Sequence, residues 1–128
     1  MHTVILMTDG SVWTCGENLY GALGDGTTTD QHTAEQVIAG GVQAVGAGTY
    51  HSVALKTDGS LWAWGDNYTG QLLPERVVAS GVQAISVNTD DTLILKTDGS
   101  LSGCGANDGY QLGDGTTTNR LTPVPITF

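Results

Sequence analysis

The sequence predicts an all-β fold of about three four-stranded antiparallel blades, arranged as part of a β-propeller. Three observations lead there. A turn of the form TDGS recurs, as Thr8-Asp9-Gly10-Ser11, Thr57-Asp58-Gly59-Ser60 and Thr97-Asp98-Gly99-Ser100, at spacings of 49 and 40 residues. Apolar residues on either side of each turn alternate with period two, the spacing of a strand whose side chains point to opposite faces. Charged residues make up only 13% of the 128, and 19 glycines stand against 3 prolines, a composition of short strands and tight turns.

The middle unit shows the elements most plainly. Its four apolar segments are Val42–Ala47, Ser52–Lys56, Ser60–Trp64 and Glu75–Ala79, here termed A to D. Thr57-Asp58-Gly59 joins B to C as a hairpin in which glycine supplies a positive φ. Segment B reads Val53-Ala54-Leu55 and segment C reads Leu61-Trp62-Ala63-Trp64. No stretch carries a helical period. A four-strand unit returning every 40 to 50 residues is the sequence form of a propeller blade. On this scheme the chain opens with segment B of a first blade (His2–Met7) and closes with segment D of a third (Thr122–Thr127), so the first blade lacks its innermost strand. The chain divides into a single array, with blades at about 1–39, 40–80 and 81–128.

The difference in spacing has a place. Gly21 to Val45 is 25 residues, whereas Gly70 to Ile85 is 16. The middle unit lacks a loop of the type Leu23-Gly24-Asp25-Gly26-Thr27-Thr28-Thr29-Asp30, which returns as Leu112 to Asn119. These loops carry oxygen side chains as calcium loops do, but lack the bidentate glutamate. Asp, Gly and Thr also suit any exposed turn, and no metal or other cofactor is expected.

The units align further along. Trp64-Gly65-Asp66-Asn67-Tyr68-Thr69-Gly70-Gln71-Leu72 matches Cys15-Gly16-Glu17-Asn18-Leu19-Tyr20-Gly21-Ala22-Leu23 and Cys104-Gly105-Ala106-Asn107 onward. With Ala44-Val45-Gly46-Ala47-Gly48-Thr49-Tyr50-His51-Ser52-Val53-Ala54-Leu55, these segments resemble the glycine-histidine and WG-x-N-x-x-GQLG signatures of the RCC1 (regulator of chromosome condensation) repeat family, and the compact repeat looks most similar to its bacterial members. Two positions depart from the pattern: Asp91 stands where the middle unit has His51, and Asn88 where it has Gly48. The resemblance implies a closed ring of seven blades. Three blades leave two open ends, which predicts either a fragment of a longer protein or copies that assemble to close a ring.

Function is read from charge and from the repeated residues. Thirteen acidic side chains against four basic ones give a net charge of −9, with Lys56, Arg76, Lys96 and Arg120 dispersed. Such a surface offers no counterion release to a nucleic acid and no attraction to an anionic membrane. Met1–Met7 is apolar but lacks the positive region and cleavage site of a signal peptide, and no run approaches a membrane span.

Tyr50, in an A–B turn, and Tyr20, Tyr68 and Tyr110, in C–D loops, fall on one rim of the meander and are the candidate partner contacts. His2 and His51 open segment B on successive blades and are expected to be structural, bonded across blades, as are the repeat residues Gly10, Gly59, Gly99, Trp13, Trp62 and Trp64. His32 falls in a loop. Cys15 and Cys104 both align with Trp64, at the same point of the first and third blades with the second blade between them, so two free, buried thiols are expected.

No catalytic residues are assigned, because no nucleophile–base order, paired carboxylate or HExxH motif is present. The sequence therefore predicts a non-catalytic protein-recognition module whose rim loops contact a partner protein. The alternative is a glycan or small-molecule binder with one pocket per blade. By resemblance, guanine-nucleotide exchange on a small GTPase, chromatin docking or enzyme inhibition are also implied, the acidic surface speaking against chromatin.

Overall fold

A computed structural model describes residues 1–66 and 71–127. Eleven strands form three antiparallel sheets among these residues. The first holds β1 (His2–Leu6), β2 (Val12–Gly16) and β3 (Gln31–Ile38). The second holds β4 (Val42–Ala47), β5 (His51–Lys56), β6 (Leu61–Gly65) and β7 (Gln71–Val78). The third holds β8 (Val82–Val87), β9 (Asp91–Lys96), β10 (Leu101–Gly105) and β11 (Arg120–Ile126). Each is a simple meander, and the first has three strands because no strand precedes β1 within it. The all-β class and the partial propeller of blades are those the sequence predicts.

Strand limits shift most at the outermost strand. The second blade's D strand begins at Gln71, four residues before the predicted Glu75, and His32 lies within β3, not in a loop. The physical reason is that D strands form the outer edge, so their residues lack the apolar alternation by which a strand is recognised; Pro74 is tolerated there because an edge strand has spare N–H positions. One register irregularity falls at the same place in every blade, between Thr14 and Gly16, Ala63 and Gly65, and Gly103 and Gly105, and the first two blades carry another between Val12 and Trp13 and between Leu61 and Trp62.

The core lies in the two seams between blades. Val4, Leu6, Val12 and Ile38 meet Val42, Ala54, Trp62 and Trp64 in the first. Val53, Leu55, Leu61 and Ala63 meet Val82, Ile85, Val87 and Ile94 in the second. Alternate residues of β5 and β6 thus serve opposite seams, which is why those strands of the middle blade are apolar on both faces. The TDG turns stitch the blades: the Gly10 carbonyl accepts from Val42 N–H (3.1 Å) and the Gly59 carbonyl from Val82 N–H (3.0 Å). Gly10 and Gly59 both adopt φ of +83°, and a Cβ on either would stand 3.0 Å from the next blade's backbone nitrogen. Glycine is required twice over, for conformation and for approach.

Candidate functional site

The rim opposite the TDG turns carries the A–B turns and the C–D loops. The first blade's C–D loop is held from inside by Asn18, which is fully buried. Its side-chain amide donates to the Asp25 carboxylate (3.1 Å) and the carbonyls of Thr27 (3.0 Å) and Thr29 (3.1 Å), while its Oδ1 accepts from Leu23 N–H (2.9 Å). The Asp30 carboxylate accepts from the Asn18 backbone N–H. Asn107 repeats the arrangement in the third blade with Asp114, Thr116, Thr118, Leu112 and Asn119. In each loop an amide NH2 sits at the centre of the converging oxygens. The hydrogen bonds from Thr116, joined by those from Arg120 and Asn107, hold the Asp114 carboxyl well below the usual carboxylate range.

The first loop also clamps the second blade. The Ala22 carbonyl accepts from Trp64 Nε1 (2.8 Å) and from Ser52 Oγ (2.8 Å), Gly24 lies against the Trp64 indole, and Gly26 N–H donates to the Leu72 carbonyl. Because the Ser52 hydroxyl proton is committed to Ala22, His2 Nε2, 2.7 Å from Ser52 Oγ, must carry the proton and donate. One blade on, His51 Nε2 lies 3.2 Å from Thr92 Oγ1. Each histidine therefore reaches the hydroxyl of the following blade.

His51 is 3% exposed, and burial lowers its pKa below the ordinary value against the opposing pull of Asp90, Asp91 and Asp66. His2 is shifted the same way, first by burial. A histidine whose folded pKa is depressed contributes stability that is fully present above its unfolded value near 6.5 and is lost as pH falls from there through the folded pKa. Acidification from pH 7 to 5 is therefore expected to lower the urea midpoint. Replacing His51→Gln should flatten that dependence, as measured by parallel urea titrations across the range. Carboxylates such as Asp114 lose their contribution only at lower pH, since their depressed pKa values lie beneath 3.8.

The second seam is filled less well. Cys104 stands at the Trp64 position and the second blade has no long loop to lay over it, so a cavity of about 20 Å³ remains among His51, Val53, Ala63, Asp91, Thr92 and Cys104. That volume holds one water. Burial and then Asp91 push the Cys104 thiol up to about 11, which leaves it a protonated, unreactive group. Cys15 and Cys104 are both free, but each is half-buried, not buried as expected. Trp64 is sealed by the first blade's loop, and neither cysteine has such a cover.

Two of the four predicted tyrosines meet. The Tyr20 and Tyr50 rings pack edge to face with centroids 4.9 Å apart, joining the first blade's C–D loop to the second blade's A–B turn. They remain 44% and 41% exposed and line an open cleft of about 380 Å³ with Leu19, Glu17, Thr28 and Asp30. Tyr110 stands apart, 68% exposed, and aligns with Gly21, not with Tyr20. It takes that glycine's left-handed backbone, φ +62° against +79°, and is the only non-glycine with positive φ among the described residues. Tyr68 lies outside the described residues. Sequence reasoning missed Asn18 and Asn107 as loop organisers and Ser52 and Thr92 as histidine partners. The recurrence of Asn18, Asn67 and Asn107 at one repeat position was the available signal for the first pair.

Comparison with known proteins places this geometry. Two family models, each described as regulator of chromosome condensation (RCC1) repeat, match the chain, one over residues 42–71 and the other over residues 9–55 and 98–128. No curated protein sequence matches it. Among solved structures, yeast RCC1 (Prp20) bound to Kap60 superposes with a TM-score of 0.89 at 16% identity, covering 99% of this chain and 35% of that one. Prp20p from Saccharomyces cerevisiae, described with its binding properties to Gsp1p and histones, gives 0.83 at 18% identity over 99% and 36%. Human WBSCR16 gives 0.62 at 16% identity over 99% and 51%. The chain thus spans about a third of the length of the two yeast structures, and these likenesses bear on the fold.

Proposed function

The chain belongs to the RCC1 repeat family, and from that footing we propose that it is a non-catalytic protein-recognition module whose rim cleft at Tyr20 and Tyr50 takes a basic side chain of a partner protein. The observation that carries this reading is the exposed tyrosine pair itself. Two ring faces and edges beside Glu17 and Asp30 make a surface suited to a lysine or arginine, by cation–π attraction and by carboxylate pairing. The net charge of −9 favours approach of a basic partner. The fold neighbour Prp20 is described as bound to Kap60 and as binding Gsp1p and histones, which supports a protein partner for a propeller of this type.

A glycan reading would place one equivalent pocket on each blade. Tyr110 occupies the Gly21 position, so the third blade does not repeat the Tyr20 and Tyr50 cleft, and this favours a single composite surface.

An immobilised panel of lysine- and arginine-bearing peptides beside a glycan array tests the reading. Binding to the basic peptides is expected to weaken at least about tenfold in Tyr20→Ala and Tyr50→Ala, and to be unchanged in Thr97→Ala on the opposite rim. Signal on the glycan array alone, or equal loss in Thr97→Ala, would overturn it.

A further inference from the structure

The turn that carries Tyr50 rests on a histidine ring. Residues 48–50 connect β4 to β5, and His51 follows them directly. A Cβ on Gly48 would fall on the His51 imidazole and stand 2.7 Å from the Asn88 carbonyl oxygen, so the ring occupies the space beneath the turn. The backbone leaves the turn little slack. Gly48 N–H donates to the His51 carbonyl (2.9 Å), Thr49 N–H to the Thr89 carbonyl of the third blade (2.9 Å), and Asp66 N–H to the Tyr50 carbonyl (2.9 Å).

Gly65, at φ +90°, is where the turn meets the first blade's loop. A Cβ there would collide with the Tyr50 carbonyl and stand 3.0 Å from the His51 Cα and 3.1 Å from the Ala22 Cα. Ala22 and Tyr50 both line the open cleft at the tyrosine pair. The position of the imidazole therefore reaches the cleft through one residue of chain.

The ring is poorly placed to carry a charge. It is buried, with Nε2 3.2 Å from Thr92 Oγ1, and the cavity beside it holds only one water. The groups that face it are Asp66 just past β6, Asp90 and Asp91 of the third blade, the protonated Cys104 thiol, and His2 of the first blade, which opposes a second positive charge. Burial lowers the His51 pKa and outweighs the three carboxylates, which favour the imidazolium. A neutral ring thus supports the turn above the ordinary value of 6.5. As pH falls from there through the lowered folded value, the charged ring is hydrated only by leaving its site, and the turn lies directly over it.

We propose that His51 gates the partner cleft: with the ring neutral the turn holds Tyr50 against Tyr20, and with the ring protonated the turn opens, the pair separates and a basic partner is released. Release of a partner rests on the proposed recognition role, whereas separation of the two rings is a property of the chain alone.

Nuclear magnetic resonance of the chain carrying isotope-labelled tyrosine reports on the pair directly, with resonances assigned by Tyr20→Phe and Tyr50→Phe. On titration from about pH 7.5 to about pH 5, both are expected to move together with a midpoint below 6.5, while far-UV circular dichroism still reports intact strands. His51→Gln should abolish the movement. Asp90→Asn, at an exposed position, keeps the ring and removes a carboxylate that favours its charge, so the midpoint should move to lower pH. Binding of a histidine-free peptide of lysine, arginine and glycine should weaken at least about threefold over the same range, in proportion to the chains whose turn has opened, and hold in His51→Gln. Tyrosine resonances that stay fixed, or that move equally in His51→Gln, overturn the gate, as does a midpoint that Asp90→Asn leaves in place. A peptide that binds at no pH while the resonances titrate overturns the recognition role and leaves the gate standing.

Discussion

Trp64→Ala is expected to lower the unfolding free energy by about 3–5 kcal/mol, the range for removing a fully buried aromatic side chain. The indole is 0% exposed and lies where three things meet: the apolar residues of the first seam, the Gly24 backbone and the Ala22 carbonyl. Truncation opens a cavity that the loop cannot fill by collapsing, because Gly24 is fixed at φ +76° and Asn18 holds the loop from behind. A domain of this size has only about 5–15 kcal/mol of total stability, so the loss removes a large fraction of it.

Urea unfolding followed by circular dichroism measures the effect. Trp64→Phe separates its parts: the ring is largely kept and the Nε1 donor lost, while Ser52 Oγ still donates to Ala22. A loss of only about 1–2 kcal/mol is then expected. If Trp64→Ala costs less than 1 kcal/mol, the seam is not held by this residue. The contrast with the second seam supplies an internal control. Cys104 already leaves a cavity at the equivalent position, so Cys104→Ala should cost far less than Trp64→Ala.

The same contrast shows what a single sequence discloses of this molecule. The blades were legible because TDG turns and two-faced strands repeat, and both are consequences of seams that bury β5 and β6 of the middle blade on two sides. The shared rim of Tyr20 and Tyr50 followed from connectivity alone, since a meander sends A–B and C–D connections to one end. Their contact did not follow, because it depends on how the first loop folds over the second blade. Outer strands were placed late, by four residues at Gln71 and by two at Arg120, because an edge strand facing solvent carries no apolar alternation. Asn18 was invisible as an organiser for a different reason. Several of its partners are backbone carbonyls, and a carbonyl leaves no trace in the sequence.

That organiser carries the second large effect. Asn18→Ala is expected to cost about 2–4 kcal/mol, because one substitution strands the buried Leu23 N–H and the Thr27 and Thr29 carbonyls together. The loss should appear first as faster hydrogen exchange across residues 22–30, with the strands still protected.

Asn18→Asp sharpens the point. It keeps the acceptor for Leu23 N–H but replaces the donating amide with a carboxylate facing Asp25 and two carbonyl oxygens. Without a counter-ion this crowding of oxygens should destabilise the loop at neutral pH at least as much as alanine does. The converged oxygens would then have the chemistry of a hard-cation cage, which the amide NH2 occupies in the native chain. Millimolar calcium should restore the thermal midpoint of Asn18→Asp and leave those of the wild type and Asn18→Ala unchanged. If calcium shifts all three equally, the loop is not organised around the amide; if exchange at 22–30 is unaltered in Asn18→Ala, the loop holds its shape by its turns alone.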